Sequence, residues 1–213
     1  MRTDDLVELL ARGPVADLPA APARRYAGAA AWAAAGALLP TAALLGVRPD
    51  IGEAAGTPMF WVKVGFVASI AAVALPANLR LARPGVRLGA LPALLAAIVV
   101  AMWVLAAVAL ARAPEGGRAA LVLGETWRVC PLAIAGLAAP GFVAFLWAMR
   151  GLAPTRPARA GAAAGLLAGA PAATAYTLHC PESQAPFLAV WYLLGILAPA
   201  AAGALAGPRL LRW

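Results

Sequence analysis

A chain of 213 residues with 63% hydrophobic and only 12% charged side chains, and a mean hydropathy of +0.83, lies far from the composition of a soluble domain. It reads as an all-α integral membrane protein, and its net charge of +8 as a record of topology rather than of direct nucleic-acid binding. Asp4, Asp5, Glu8 and Asp17 precede the first long apolar run, so no cleavable signal is expected.

Residues 3–12 predict a short cytoplasmic amphipathic helix: Thr3 suits an N-cap, Asp4 and Asp5 the first turn, and Gly13-Pro14 the stop. Leu6, Leu9 and Leu10 share one face by their spacing. So short a helix is unstable alone in water. Its leucine face either enters a groove on a protein partner or lies on the membrane or the bundle. Pro14, Pro19 and Pro22 make the next stretch a semi-rigid tether. Residues 1–26 thus form a cytoplasmic segment and 27–213 a transmembrane domain.

Six apolar runs, near 27–46, 59–79, 88–111, 129–149, 160–178 and 185–207, are each long enough to span a bilayer as a helix. The absence of period-two alternation argues against a barrel. Arg2, Arg12, Arg24, Arg25, Arg80, Arg83, Arg87, Arg150, Arg156, Arg159, Arg209 and Arg212 fall on one side of this six-helix bundle. Only Arg48, Arg112, Arg118 and Arg128 fall on the other. Basic residues are retained in the cytoplasm, so both termini are expected inside, with outer loops at 47–58, 112–128 and 179–184.

Lys63 is the one charge inside a predicted span. It sits shortly after Pro58, where it either has an intramembrane function or snorkels outward. The fifth and sixth runs carry Gly161, Gly165, Gly169 and Gly203, Gly207, which reflect either close helix packing or simply a glycine-rich composition. Pro76, Pro92, Pro140, Pro171 and Pro199 mark sites for kinks, within or at the ends of spans.

Chemistry concentrates in two outer segments. Cys130 opens the fourth span, after Glu125 and Arg128, and Leu178–Gln184 holds the only histidine, His179, with Cys180 and Glu182. Each cysteine precedes a proline and has a glutamate nearby. Thiol, imidazole and carboxylate groups so close together ligate soft metals or tune a reactive thiol, though the same residues also suit a plain polar turn. Three readings of the pair stand. One is a static disulfide staple. Another is a thiol pair that transiently binds a soft cation such as cadmium, helped by His179 and Glu182. The last is a pair oxidised by an agent such as chromate. Lys63, Glu125 and Arg128 are candidates for tuning the thiols. No resident cofactor is expected.

Thr3-Asp4-Asp5-Leu6, the six spans, Cys130-Pro131, His179-Cys180-Pro181-Glu182 and the ending Gly207-Pro208-Arg209-Leu210-Leu211-Arg212-Trp213 resemble the NrsF family, negative regulators of a sigma factor F of the extracytoplasmic-function type. The resemblance covers essentially the full length. It implies an inner-membrane anti-sigma factor that holds its sigma factor at the cytoplasmic face and releases it on a heavy-metal or oxidative signal, with Cys130 and Cys180 as the sensing residues. Two other classes fit less well. A small transporter calls for polar residues near mid-membrane, where this chain is bare. A thiol-redox membrane enzyme calls for a close cysteine pair or several histidines. No enzymatic activity is expected.

Overall fold

Uninterrupted Ala, Leu and Val runs favour helices that satisfy their own backbone groups. The computed structural model describes residues 3–12, 21–150, 152 and 154–212, and among them all regular structure is helical. α1 is Thr3–Arg12, with Asp4 and Asp5 in the first turn, where the helix dipole favours acids. The side chains of Leu6, Leu9 and Leu10 lie outside the described residues, as does the stretch 13–20. α2 covers Ala21–Pro40 and continues through a π-helical turn, Thr41–Leu45. There follow α3 (Ile51–Ala55), α4 (Pro58–Leu81), α5 (Leu91–Arg112), α6 (Arg118–Leu123), α7 (Cys130–Met149) and α8 (Pro157–Tyr176). α9 (Ala185–Leu210) contains a π-helical stretch, Leu188–Tyr192.

All six predicted runs form helices near the expected boundaries. α4, α5, α7, α8 and α9 each carry proline in the first turn, where its missing N–H has no partner to lose. Pro92 is one of these starters, whereas Pro76, Pro140, Pro171 and Pro199 lie inside helices.

Among the described residues five helices are long and apolar enough to cross a membrane: Arg24–Leu45, Pro58–Leu81, Leu91–Arg112, Cys130–Met149 and Ala185–Leu210. The sixth predicted run, α8, reaches full length, but its Gly-, Ala- and Pro-rich sequence leaves it outside that group. The physical reason is its position. α8 packs against α2, α4, α7 and α9 and is buried along most of its length. A helix enclosed by helices needs small side chains more than oily ones. A Cβ on Gly161 would run into the Gly203 carbonyl, and one on Gly165 into the Pro199 carbonyl. The glycine spacing therefore serves close backbone approach.

The core has two parts. One gathers Tyr26, Phe145, Met149 and Leu167, beside which Tyr26 donates a buried hydrogen bond to Asn78 Oδ1 at 2.7 Å. The other gathers Phe66, Ile134, Tyr176 and Tyr192 around both cysteines. Large apolar side chains cover the outside of the bundle, with Leu44 82% and Leu205 75% exposed.

Candidate functional site

α8 ends where Cys180 N donates to Tyr176 O at 3.0 Å, and Pro181, lacking an N–H and fixed in φ, prevents the helix from continuing. The chain then runs through 181–184 to the start of α9. Four sets of contacts from other elements hold this loop. On α4, the Lys63 ammonium donates to the carbonyls of Cys180 at 2.9 Å and Glu182 at 2.8 Å, and lies 4.8 Å from the centroid of the Tyr192 ring. After α2, Arg48 donates its backbone N–H to Leu178 O at 2.9 Å and its guanidinium to the carbonyls of Cys180 and Pro181 at 3.4 and 3.3 Å. His179 Nδ1 donates to Gly46 O at 3.0 Å. Before α7, Glu125 donates its backbone N–H to Glu182 Oε1 at 2.7 Å.

Gly124 makes the last contact sterically feasible. Its φ is +55°, and a Cβ there would lie 2.6 Å from Glu182 Oε1. The turn 124–129 then leads into α7, whose first residue is Cys130, with Cys130 N bonded to Thr126 O at 2.9 Å.

Cys130 and Cys180 are free thiols, both wholly buried in the same core cluster, where each acts on the ionisation of the other. Thr126 Oγ1 stands 3.9 Å from the Cys180 sulfur, and the buried Tyr192 hydroxyl, close enough to act on that sulfur, has no hydrogen-bond partner among the described residues. The Cys130 thiol, the nearby Lys63 ammonium and the Tyr192 hydroxyl outweigh burial and hold the Cys180 pKa below the ordinary thiol value. Among the described residues no carboxylate forms an ion pair with Lys63. Its buried charge is met by carbonyl dipoles, an aromatic face and the Cys180 sulfur. Arg48 is instead paired with Asp50, at 2.7 and 2.5 Å, which raises the arginine pKa and lowers that of the acid.

The structure thus brings together Cys130, Cys180 and Lys63, with Glu125 joined through its backbone. Arg128 lies instead with its guanidinium 4.9 Å from the Trp127 ring centroid. The four-residue ligand set of Cys130, Cys180, His179 and Glu182 is not assembled, and among the described residues no three His, Cys, Asp or Glu side chains are grouped to hold a metal ion. The cause is local. The imidazole is occupied by Gly46 O and the Tyr176 ring, and the carboxylate by the Glu125 N–H. Lys63 does reach towards the end of the bundle that carries both cysteines, into a carbonyl cage. Arg48, Tyr176, Tyr192 and Gly124 were not singled out as site residues from sequence. For Arg48 a signal existed, since it is the only basic residue in the first outer turn.

The family described as NrsF, negative regulator of sigma F, matches residues 10–213. The chain is 54% identical over 213 residues to a probable anti-sigma-F factor NrsF of Azospira oryzae. It is 42% identical over 215 residues to the anti-sigma-F factor NrsF of Caulobacter vibrioides, and both alignments cover 100% of each chain. No solved structure matches the chain. These relatives are named as regulators rather than enzymes. With a family match across almost its whole length and full-length relatives under the same description, the chain belongs to the NrsF family of negative regulators of sigma F.

Proposed function

We propose that this protein is a bacterial inner-membrane anti-sigma factor with six spans and both termini in the cytoplasm. It holds an extracytoplasmic-function sigma factor through the leucine face of α1 and releases it when the outer thiol pair reacts with an oxidant or a soft heavy metal. The observation that carries the reading is the meeting of Cys130 and Cys180, from distant parts of the sequence, beneath a loop tied to α4 and to the turns after α2 and before α7. The apolar outer surface and the arginine asymmetry support membrane embedding, with α8 as an enclosed sixth span.

The chemistry follows from the lowered Cys180 pKa. The Cys180 thiolate attacks a two-electron oxidant, and the Cys130 sulfur then displaces the reduced oxidant to form the disulfide. Two electrons pass to the oxidant and the Cys130 proton to solvent. A soft cation takes the same two sulfurs as thiolates, with loss of the same proton. Either event removes the negative sulfur from Lys63 and fastens the start of α7 to the loop between α8 and α9. α7 and α8 run on to the Tyr26 core, where α2 begins after the tether from α1.

The test is co-purification of the full-length detergent-solubilised chain with its sigma factor, with and without cadmium or chromate. Burial of a leucine contributes about 1.5–3 kcal/mol, so Leu6→Glu with Leu10→Glu abolishes capture. Cys130→Ser and Cys180→Ser capture normally but fail to release. Normal release from the double serine variant would leave the cysteines a packing or staple role only.

A further inference from the structure

A groove of about 1100 Å³ lies between α2 and α7, away from the thiol site. The two helices cross tightly on one line, where a Cβ on Gly36 would lie 2.6 Å from Pro140 and one on Gly141 2.7 Å from Ala33. Beside that line Gly28 and Gly136 face open space, so the missing side chains carve the groove instead of closing the helices on each other. Trp32 and Trp147, 69% and 62% exposed, form its walls. Arg24 and Arg25 stand at its mouth, with the Arg25 guanidinium 6.0 Å from the Trp147 ring centroid.

We propose that this groove is a binding site for one anionic phospholipid of the cytoplasmic leaflet. The inference rests on the membrane embedding proposed above. Trp32 lies eight residues after Arg24 on α2 and Trp147 eleven after Gly136 on α7. At the helical rise these spans are about 12 and 16 Å, which is one leaflet of a hydrocarbon core about 30 Å thick. The basic end coincides with the side expected to be cytoplasmic, where a phosphodiester would sit between two guanidiniums. The apolar remainder matches an acyl chain, and Trp147, beside Arg25, stands at the basic end, where tryptophan is favoured. A second copy of the chain would supply an apolar ridge but, by two-fold symmetry, would bring like charges to the arginine pair.

Native mass spectrometry of the full-length protein in mild detergent tests this, with phosphatidylglycerol and phosphatidylcholine of matched chains as probes. Each arginine contributes about fivefold, so phosphatidylglycerol is retained roughly 25-fold over phosphatidylcholine. Arg24→Ala with Arg25→Ala brings the two lipids within about twofold. Gly28→Leu keeps both charges and fills the groove, and it lowers retention of both lipids. Equal retention by the wild type, an undiminished preference in the double alanine variant, or undiminished retention of both lipids by Gly28→Leu overturns the site. So does a dimer without lipid adducts that Gly28→Leu splits. A chain that remains monodisperse without detergent or lipid would instead overturn the membrane reading beneath it.

Discussion

Lys63 grips Cys180 twice, donating to its carbonyl at 2.9 Å while its charge acts on the thiol of the same residue. One buried cation therefore shapes the loop and conditions the sulfur.

Lys63→Met removes both effects. Each hydrogen bond from a charged donor contributes about 1.5–3 kcal/mol, so the variant unfolds at a lower temperature. Its Cys180 thiol also titrates higher than in the wild type, closer to the ordinary value of about 8.5, because one of the groups that hold it low is gone. The difference in ultraviolet thiolate absorbance between each protein and its Cys180→Ser counterpart reads this directly. The sign for stability follows. A thiol held low contributes fully above its ordinary pKa and loses that contribution as pH falls through its lowered value, so Cys180→Ser flattens the stability profile below about 8.5. An unmoved titration in Lys63→Met would leave the lysine a loop clamp only.

At Gly124, alanine meets two penalties, a positive φ and collision with the Glu182 carboxylate. The first costs about 1–2 kcal/mol. Glu182→Ala relieves only the second, so a double-mutant cycle in thermal unfolding yields a coupling of about 1 kcal/mol. Strict additivity would mean that the carboxylate does not approach Gly124.

Two glycines in neighbouring helices respond oppositely. Gly165→Ala drives a methyl into the Pro199 carbonyl and destabilises by about 3 kcal/mol. Gly28→Ala faces open space and gains up to about 1 kcal/mol of helix propensity. Urea or thermal unfolding in detergent separates the two.

A reporter fused after Trp213 is active in the cytoplasm, and one inserted after Asp50 or Glu182 is active only outside. Periplasmic activity of the C-terminal fusion would sink the six-span topology.

Much of this was legible from residue order. Hydropathy delimits the long helices because each must be apolar over a fixed length, and the placement of both cysteines at one end follows from counting those helices. The contact between them does not, since it depends on how α7 and α8 pack. Lys63 shows the same boundary. Its depth can be read, but its partners are backbone carbonyls of a distant loop, which leave no compositional trace. His179 and Glu182 stand next to Cys180 in sequence, yet their side chains are turned to Gly46 and Glu125, so adjacency alone suggested a ligand set that the loop geometry disperses.

The enclosure of α8 carries a consequence for biogenesis. A helix of glycine, alanine and proline, with Arg159 near its start, gains little on entering lipid alone. Its stability there depends on the carbonyl-to-glycine fit with α9, which is synthesised after it. In the proposed membrane embedding the last two helices enter the bilayer together as a hairpin, and a ribosome halted before α9 emerges leaves α8 outside.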